Sequence, residues 1–411
     1  MMKLLLLLLL ATTSLSAAAD GLLLDLIVPP GQKDRFQHAE FSCWIADTTR
    51  PLKAVIIHQH GCTNAAPDKH PPITEDWHWR ALARKHDCAL LVPMYHVAGN
   101  CDEWNDPDSG SERALMTALA DFAERSGRPE MKSVPWVLWG HSGGSSWSAQ
   151  MIVRHPGRVL AASFRGGCHK QFGDAAFRAR FSTVARELPL LFVWGKRETV
   201  PTSSHHVSWA PMNTMFQDLR SQGGKVCRVI DPRSEHGCDD SRLMSLSFFD
   251  VVLSGDVRPG TFGDIASLEI RSANDDATAK EPGFAWMPNA AFAKLWHEFS
   301  EKGSLRPSVG PTKAPELTIS VNEKGQKVLS WSLVPEISGG VRALRLYRDG
   351  MLWKDLGLKP TDFLATSADS APASLRSTRL IDDSAEAHTY SMSFLDAAGN
   401  ESPSGKAASI P

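Results

Sequence analysis

The sequence predicts an α/β protein: a mostly parallel sheet with helices on both faces, followed by a small all-β sandwich. Three observations carry this. Between residues 52 and 253, short apolar runs alternate with stretches of helical apolar spacing, the pattern of repeated strand–helix units. Beyond residue 316 the period changes, and apolar residues alternate with polar ones over short runs separated by turns, as in sheets with one wet face. Between them lies RPSVGPTKAP at 306–315, with three prolines and no apolar periodicity, a linker composition.

Each element follows from its own residues. Residues 52–60 (LKAVIIHQH) form an apolar run closed by Gly61, the profile of a strand buried on both faces. A helix suits 78–86, and 88–95 (CALLVPMY) is the next strand. Residues 112–126 have helical spacing, 134–139 (VPWVLW) is strand-like, and 147–155 is again helical. Strands follow at 159–164, 188–194 (LPLLFVW) and 225–230 (KVCRVI), with helices at 212–222, 243–253 and 291–302. In the last part, 317–321, 327–333, 341–347 and 388–395 alternate, and RDG at 348–350 and DAAGN at 396–400 are turn signals.

The chain opens with Lys3, an unbroken leucine run at 4–10, and SAAA before Asp20. This is the layout of a secretory signal peptide cleaved after Ala19. The expected organisation is a signal peptide at 1–19, an α/β domain at 20–305, a linker at 306–315 and a β-sandwich at 316–411. The mature chain is expected to be secreted or periplasmic, with no membrane span. Lys plus Arg number 44 against 46 Asp plus Glu, a net charge of -2, so no global field attracts nucleic acid or anionic membrane. Cofactor motifs are absent. No Cys/His grouping has the spacing of a structural zinc site, and His58 and His60, on one strand face, read as structural, so no metal is expected.

The chemistry sits at Gly140-His141-Ser142-Gly143-Gly144, a G-x-S-x-G pentapeptide that directly follows one apolar strand and precedes a helix. A nucleophile elbow needs this context: the turn is so tight that glycines must flank the serine, and it thrusts Oγ out at the sheet edge. A serine hydroxyl needs a base, and the base an orienting acid; in this fold class they follow in the order Ser, acid, His. His236, just past the strand at 225–230, is the base candidate, with His205 and His206 as rivals. Glu198, in the turn after the strand at 188–194, is the acid candidate, with Asp231 and Asp174 in reserve. Oxyanion donors are expected from the amides of Gly143 and Cys62, the latter on the loop after the first strand. The chain holds 13 Trp and only 3 Tyr. Trp139, Trp147 and Trp194 read as packing; Trp104 and Trp209 are the candidates for stacking on substrate.

HGCT at 60–63, WRALARKHDCALLVP at 79–93, NCDEWND at 100–106 and GHSGG at 140–144 together resemble the α/β-hydrolase group of polyhydroxybutyrate depolymerases and feruloyl or acetylxylan esterases. The resemblance is strongest over 53–144. It implies a disulfide between Cys62 and Cys101, which would tie the oxyanion loop to the next loop. This chain departs from the group in carrying Gly143 where alanine is usual and Glu198 where aspartate is usual. Cys168 and Cys238 form a second potential pair among the seven cysteines. Trp331, LYRDG at 346–350 and YSMSFLDAAGNES at 390–402 make the last domain similar to a fibronectin type III module.

Three functions follow as expectations. The first is a secreted serine esterase acting through an acyl-enzyme on Ser142, with small-molecule or polymer-linked esters as substrates and polysaccharide as a partner of the C-terminal domain. The second is a serine peptidase on the same fold. The third is a non-catalytic binding protein on a hydrolase scaffold.

Overall fold

The computed structural model describes residues 15–18, 21–62, 73–237, 240–272, 276–305, 311–332, 341, 343–356, 379–396, 399–405 and 408–410. The leucine run, Ala19, Cys238 and linker residues 306–310 lie outside these.

The main sheet is built from β1 (Leu15–Ala18), β2 (Gly21–Val28), β3 (His38–Ala46), β4 (Ala54–Gln59), β5 (Cys88–His96), β6 (Trp136–His141), β7 (Val159–Arg165), β8 (Leu190–Gly195) and β9 (Val226–Asp231). Their order across the sheet is β1-β2-β3-β5-β4-β6-β7-β8-β9. The first three strands and the β3–β5 pair are antiparallel, and every pairing from β5 to β9 is parallel. This order, with its β4–β5 crossover, is the α/β-hydrolase fold. The helices are α1 (Trp77–Lys85), α2 (Ser111–Ser126), α3 (Gly143–Arg154), α4 (His169–Gly173), α5 (Ala175–Ala185), α6 (Trp209–Ser221), α7 (Ser241–Ser254), α8 (Asp276–Ala279) and α9 (Ala290–Lys302).

The central strands read as unbroken apolar runs because helices cover both faces: all six residues of β4 and all six of β8 are buried. Helix α2 buries Ala114, Leu115, Ala118, Leu119 and Phe122, a stripe at helical spacing, and ends at Gly127. Helix α1 starts where Asp76 accepts the His78 and Trp79 amides. Asp76 in turn pairs with the buried Arg242 of α7 at 2.8 Å.

Several elements differ from the sequence expectation. Strands β2 and β3 lie before the first strand that the periodicity marks and extend the sheet antiparallel ahead of the first parallel unit. Helix α3 begins at Gly143 rather than at 147, because the strand–turn–helix geometry, not the weak helix propensity of Gly-Gly-Ser-Ser, starts it. Helix α5 and a three-stranded sheet of β10 (Thr261–Asp264), β11 (Ile270–Ser272) and β12 (Phe284–Met287) also lay outside it. Strand β1 adds to the sheet edge, and cleavage after Ala19 would remove it.

The C-terminal part contains β13 (Glu316–Val321), β14 (Lys327–Ser332), β15 (Ala343–Arg348), β16 (Met351–Asp355), β17 (Arg379–Asp382), β18 (His388–Leu395) and β19 (Ala408–Ile410). They form two antiparallel sheets, β13-β14-β17 and β16-β15-β18-β19. Leu329 and Trp331 of one meet Leu344, Leu346, Tyr390, Met392 and Phe394 of the other in a shared core. Trp77 of α1 inserts into that same core. Beside it, the Val341 amide donates to His78 Nε2 at 2.9 Å, so the sandwich is keyed onto the α/β domain through one helix end.

Candidate active site

The sharp turn after β6 places Ser142 at φ 53°, ψ -113°. A non-glycine residue at positive φ costs about 1–3 kcal/mol and persists only where its surroundings impose it. Here the Ser142 amide donates to the Arg165 carbonyl at 2.9 Å, and its own carbonyl accepts from Ser145 at 3.0 Å. Gly144 must be glycine: a Cβ there would sit 2.4 Å from the Gln59 carbonyl oxygen and 2.5 Å from that of His60. The sequence pattern and the geometry therefore agree on an elbow.

Glu198 and His236 come together at the ends of the next strands. Glu198 lies in the turn after β8, fully buried, and His236 follows β9. His236 Nδ1 donates to Glu198 Oε1 at 2.6 Å, which leaves Nε2 as the proton acceptor. The other carboxylate oxygen accepts from the Gly195 amide at 2.8 Å and from Arg165 Nη1 at 2.5 Å. Burial alone would raise this carboxyl group, but the Arg165 guanidinium, His236 and the Gly195 amide outweigh it and hold Glu198 down at about 2. Burial pushes His236 down to about 4, with His141 and Arg165 acting in the same direction and Glu198 against them. The imidazole is therefore neutral at physiological pH, as a base must be. Ser142 Oγ and His236 Nε2 are not hydrogen-bonded in this structure, and such contacts often tighten only with substrate bound.

Sequence reading missed Arg165. It ends β7, is 1% exposed, and reaches Ser234 Oγ and the carbonyls of Glu235 and Gly237 as well as Glu198. One guanidinium thus neutralises the acid and clamps the histidine loop. Its signal was a charge at the end of an apolar strand, FRGG at 164–167, which names no partner. His205, the rival base, instead lies flat on the His236 ring, with centroids 3.9 Å apart and planes at 4°. His206 Nδ1 donates to the Glu198 carbonyl at 3.1 Å. Asp174 caps α5 through the Ala176 amide, and Asp231 accepts from the Arg233 amide; neither contacts His236 among the described residues. His141 Nε2 donates to the His236 carbonyl at 2.8 Å.

The disulfide implied by the family resemblance is present: Cys62 and Cys101 are joined, with Cα atoms 5.0 Å apart. It lies against the first residue of α3. A Cβ on Gly143 would come within 2.6 Å of Cys62 Sγ and 3.2 Å of Cys101 Sγ. That close approach gives a physical reason for glycine at 143. The Gly143 amide is one of the unpaired donors at a helix start, and the bridge brings the Cys62 loop beside it. Cys168 is a free, buried thiol.

Trp104 needs correction as a substrate platform. It is wholly buried, stacked on Tyr95 at 5.4 Å and packed on His60 at 4.7 Å. With no surface left exposed, it packs the loop rather than binds. Trp209 is half-buried at the start of α6, edge-on to Trp194 at 5.1 Å, and keeps an accessible part. Trp139, Trp147 and Trp194 are fully buried, as their reading as packing requires. His58 stacks on Trp139 at 4.0 Å, and His60 Nε2 accepts the Tyr95 amide at 3.3 Å.

No family model and no curated protein matches the chain. Among solved structures it is similar to an S-formylglutathione hydrolase from Agrobacterium tumefaciens, at 15% identity over 59% of this chain and 95% of the other, with a TM-score of 0.37. A cold-adapted esterase from an Arctic intertidal metagenomic library shares 12% identity over 58% and 97%, TM-score 0.37. A dienelactone hydrolase from Anabaena variabilis shares 15% over 57% and 93%, TM-score 0.33. With TM-scores this low, the fold is read from the strand order and not from these likenesses.

Proposed function

We propose that this chain is a serine hydrolase of carboxylic esters that works through an acyl-enzyme on Ser142. The observation that carries the reading is the positive-φ serine at a strand–helix elbow, with a buried Glu198–His236 pair at the ends of the two outermost parallel strands. In the reaction, Ser142 Oγ attacks the ester carbonyl while His236 Nε2 takes its proton. The amides of Cys62 and Gly143 receive the charge that develops on the carbonyl oxygen. His236 then returns the proton to the leaving alkoxide, and water enters by the same route to release the acid. Glu198 holds the imidazole in the tautomer that exposes Nε2.

The substrates fall among acyl groups on polysaccharides or polyesters, and the C-terminal domain, read as fibronectin type III-like, binds polysaccharide near the ester. Export through the leucine-rich leader fits a chain with a disulfide at its active site. Among the described residues no helix is long and apolar enough to cross a membrane.

Hydrolysis of short p-nitrophenyl esters by the mature chain, beside Ser142→Ala, tests this. Loss of about 10⁴-fold or more in kcat is expected in the variant. Equal background rates in both would refute the esterase reading, and cleavage of peptides in preference to esters would move the same triad to the peptidase reading.

A further inference from the structure

Away from the elbow, the start of β3 and the end of β5 bring together three side chains of metal-ligating chemistry. His38 and His96 are directly opposite in the antiparallel register. Glu40, two residues along β3, shares the face of His38. Glu40 Oε1 lies 3.4 Å from His38 Nε2 and 3.3 Å from His96 Nε2, and all three ligand atoms lie within 4.8 Å of one another. His96 Nε2 is buried from solvent, with Glu40 Oε1 beside it. We propose that His38, Glu40 and His96 form a binding site for a divalent transition metal of the zinc class, which clasps β3 to β5.

The geometry fits the ion. At metal–ligand distances of about 2.0–2.1 Å, the edges of a tetrahedron are about 3.3–3.4 Å, and two of the three edges already have that length. The third closes by rotation of the imidazoles, which stand stacked with centroids 4.0 Å apart and planes at 9°. The His38 side chain is 37% exposed and Glu40 39%, so the ion has a path in and a water can take the fourth position. Two imidazoles and one carboxylate suit zinc better than calcium or magnesium, which favour all-oxygen sites. The residues are 58 positions apart at most, on two strands that pair only in the folded sheet, and so the sequence carries no metal motif for them.

The site also lies at the end of β5, which leads into the loop that carries Cys101. Tyr95, next to His96, holds His60 through its amide and stacks on Trp104, and Cys101 of the disulfide lies five residues past His96. An ion on His96 therefore anchors the strand end from which that loop is supported.

The test is titration of the chelator-stripped mature chain with Co(II), followed by displacement with Zn(II). The expected result is one equivalent of Co(II) giving the intense visible absorption of a four-coordinate site, and a rise in Tm with Zn(II). Glu40→Gln and His96→Gln should each weaken binding about tenfold or more and abolish the Tm rise. His155→Gln, a histidine paired elsewhere with Glu112, should leave both unchanged. Ser142→Ala should bind the metal as the parent does, which keeps this test independent of the hydrolase reading. Absence of the absorption band, or a band unaltered in both Glu40→Gln and His96→Gln, would overturn the proposal and leave the cluster as a carboxylate shared by two imidazoles. Should His96→Gln fail to fold, Glu40→Gln on the strand surface decides alone.

Discussion

Replacing Arg165 with methionine removes one partner of a fully buried ion pair while keeping most of the side-chain volume. Glu198 would remain, 0% exposed, with its carboxylate facing only His236 and the Gly195 amide. Removing one side of such a pair costs about 3–5 kcal/mol, since an uncompensated charge stays buried. Ser234 Oγ and the Glu235 and Gly237 carbonyls lose their shared donor as well, so the upper half of that range applies. At about 2–4 °C per kcal/mol for a domain of this size, Tm should fall by about 10 °C or more. Activity should fall too, because the clamped loop carries the base. A displacement of about 1 Å is enough for about 10²-fold in kcat. Arg165→Lys keeps the charge but not the fork of donors, and should lie between parent and Arg165→Met in both readouts. The assays are denaturant unfolding and ester hydrolysis on the same preparations. If Arg165→Met unfolds within about 1 kcal/mol of the parent and keeps its rate, the guanidinium neither neutralises the acid nor holds the loop, and the reasoning fails.

Further outcomes are expected. Gly143→Ala should lower stability by about 1–3 kcal/mol and depress ester hydrolysis, because its Cβ meets the disulfide sulfur; the penalty should shrink when Cys62→Ser and Cys101→Ser remove the bridge, a coupling that a double-mutant cycle measures. The pH profile of kcat/KM should keep its alkaline plateau down to an acid limb near His236's value of about 4, whereas a limb near the ordinary histidine range would contradict the burial argument. Stability follows the same sign. His236 is depressed in the fold, so the unfolded chain takes up protons first and stability declines as pH falls from the ordinary histidine value through about 4. Glu198 is also depressed, and its contribution, full above the ordinary carboxyl value, is lost as pH falls through about 2.

Much of the candidate site was legible because its signals are local. The elbow is a pentapeptide whose meaning depends on the strand before it and the helix after it, and apolar runs announce both. Chain order then narrows the acid and the base, since each must follow a parallel strand to reach the same sheet edge. That logic picked Glu198 and His236, which the fold brings within hydrogen-bonding distance. It also separated an α/β region from an alternating C-terminal one, for period is a property of the sequence.

What tertiary structure alone decided concerns partners that are remote along the chain. Arg165 reads as a charged strand end until β8 and β9 bring the acid and the histidine loop around it. Trp104 has the composition of a binding residue, and only its burial against Tyr95 and His60 removes it from substrate. Strand β3 joins the sheet through antiparallel pairing with β5, and β2 pairs with β3, a choice that no single segment encodes. The same pairing places His38 opposite His96 and creates the cluster with Glu40. A sequence determines which surfaces a segment must bury, through the spacing of its apolar residues. Which polar groups then face one another depends on register and strand order, and these are settled only when the sheet closes its hydrogen bonds.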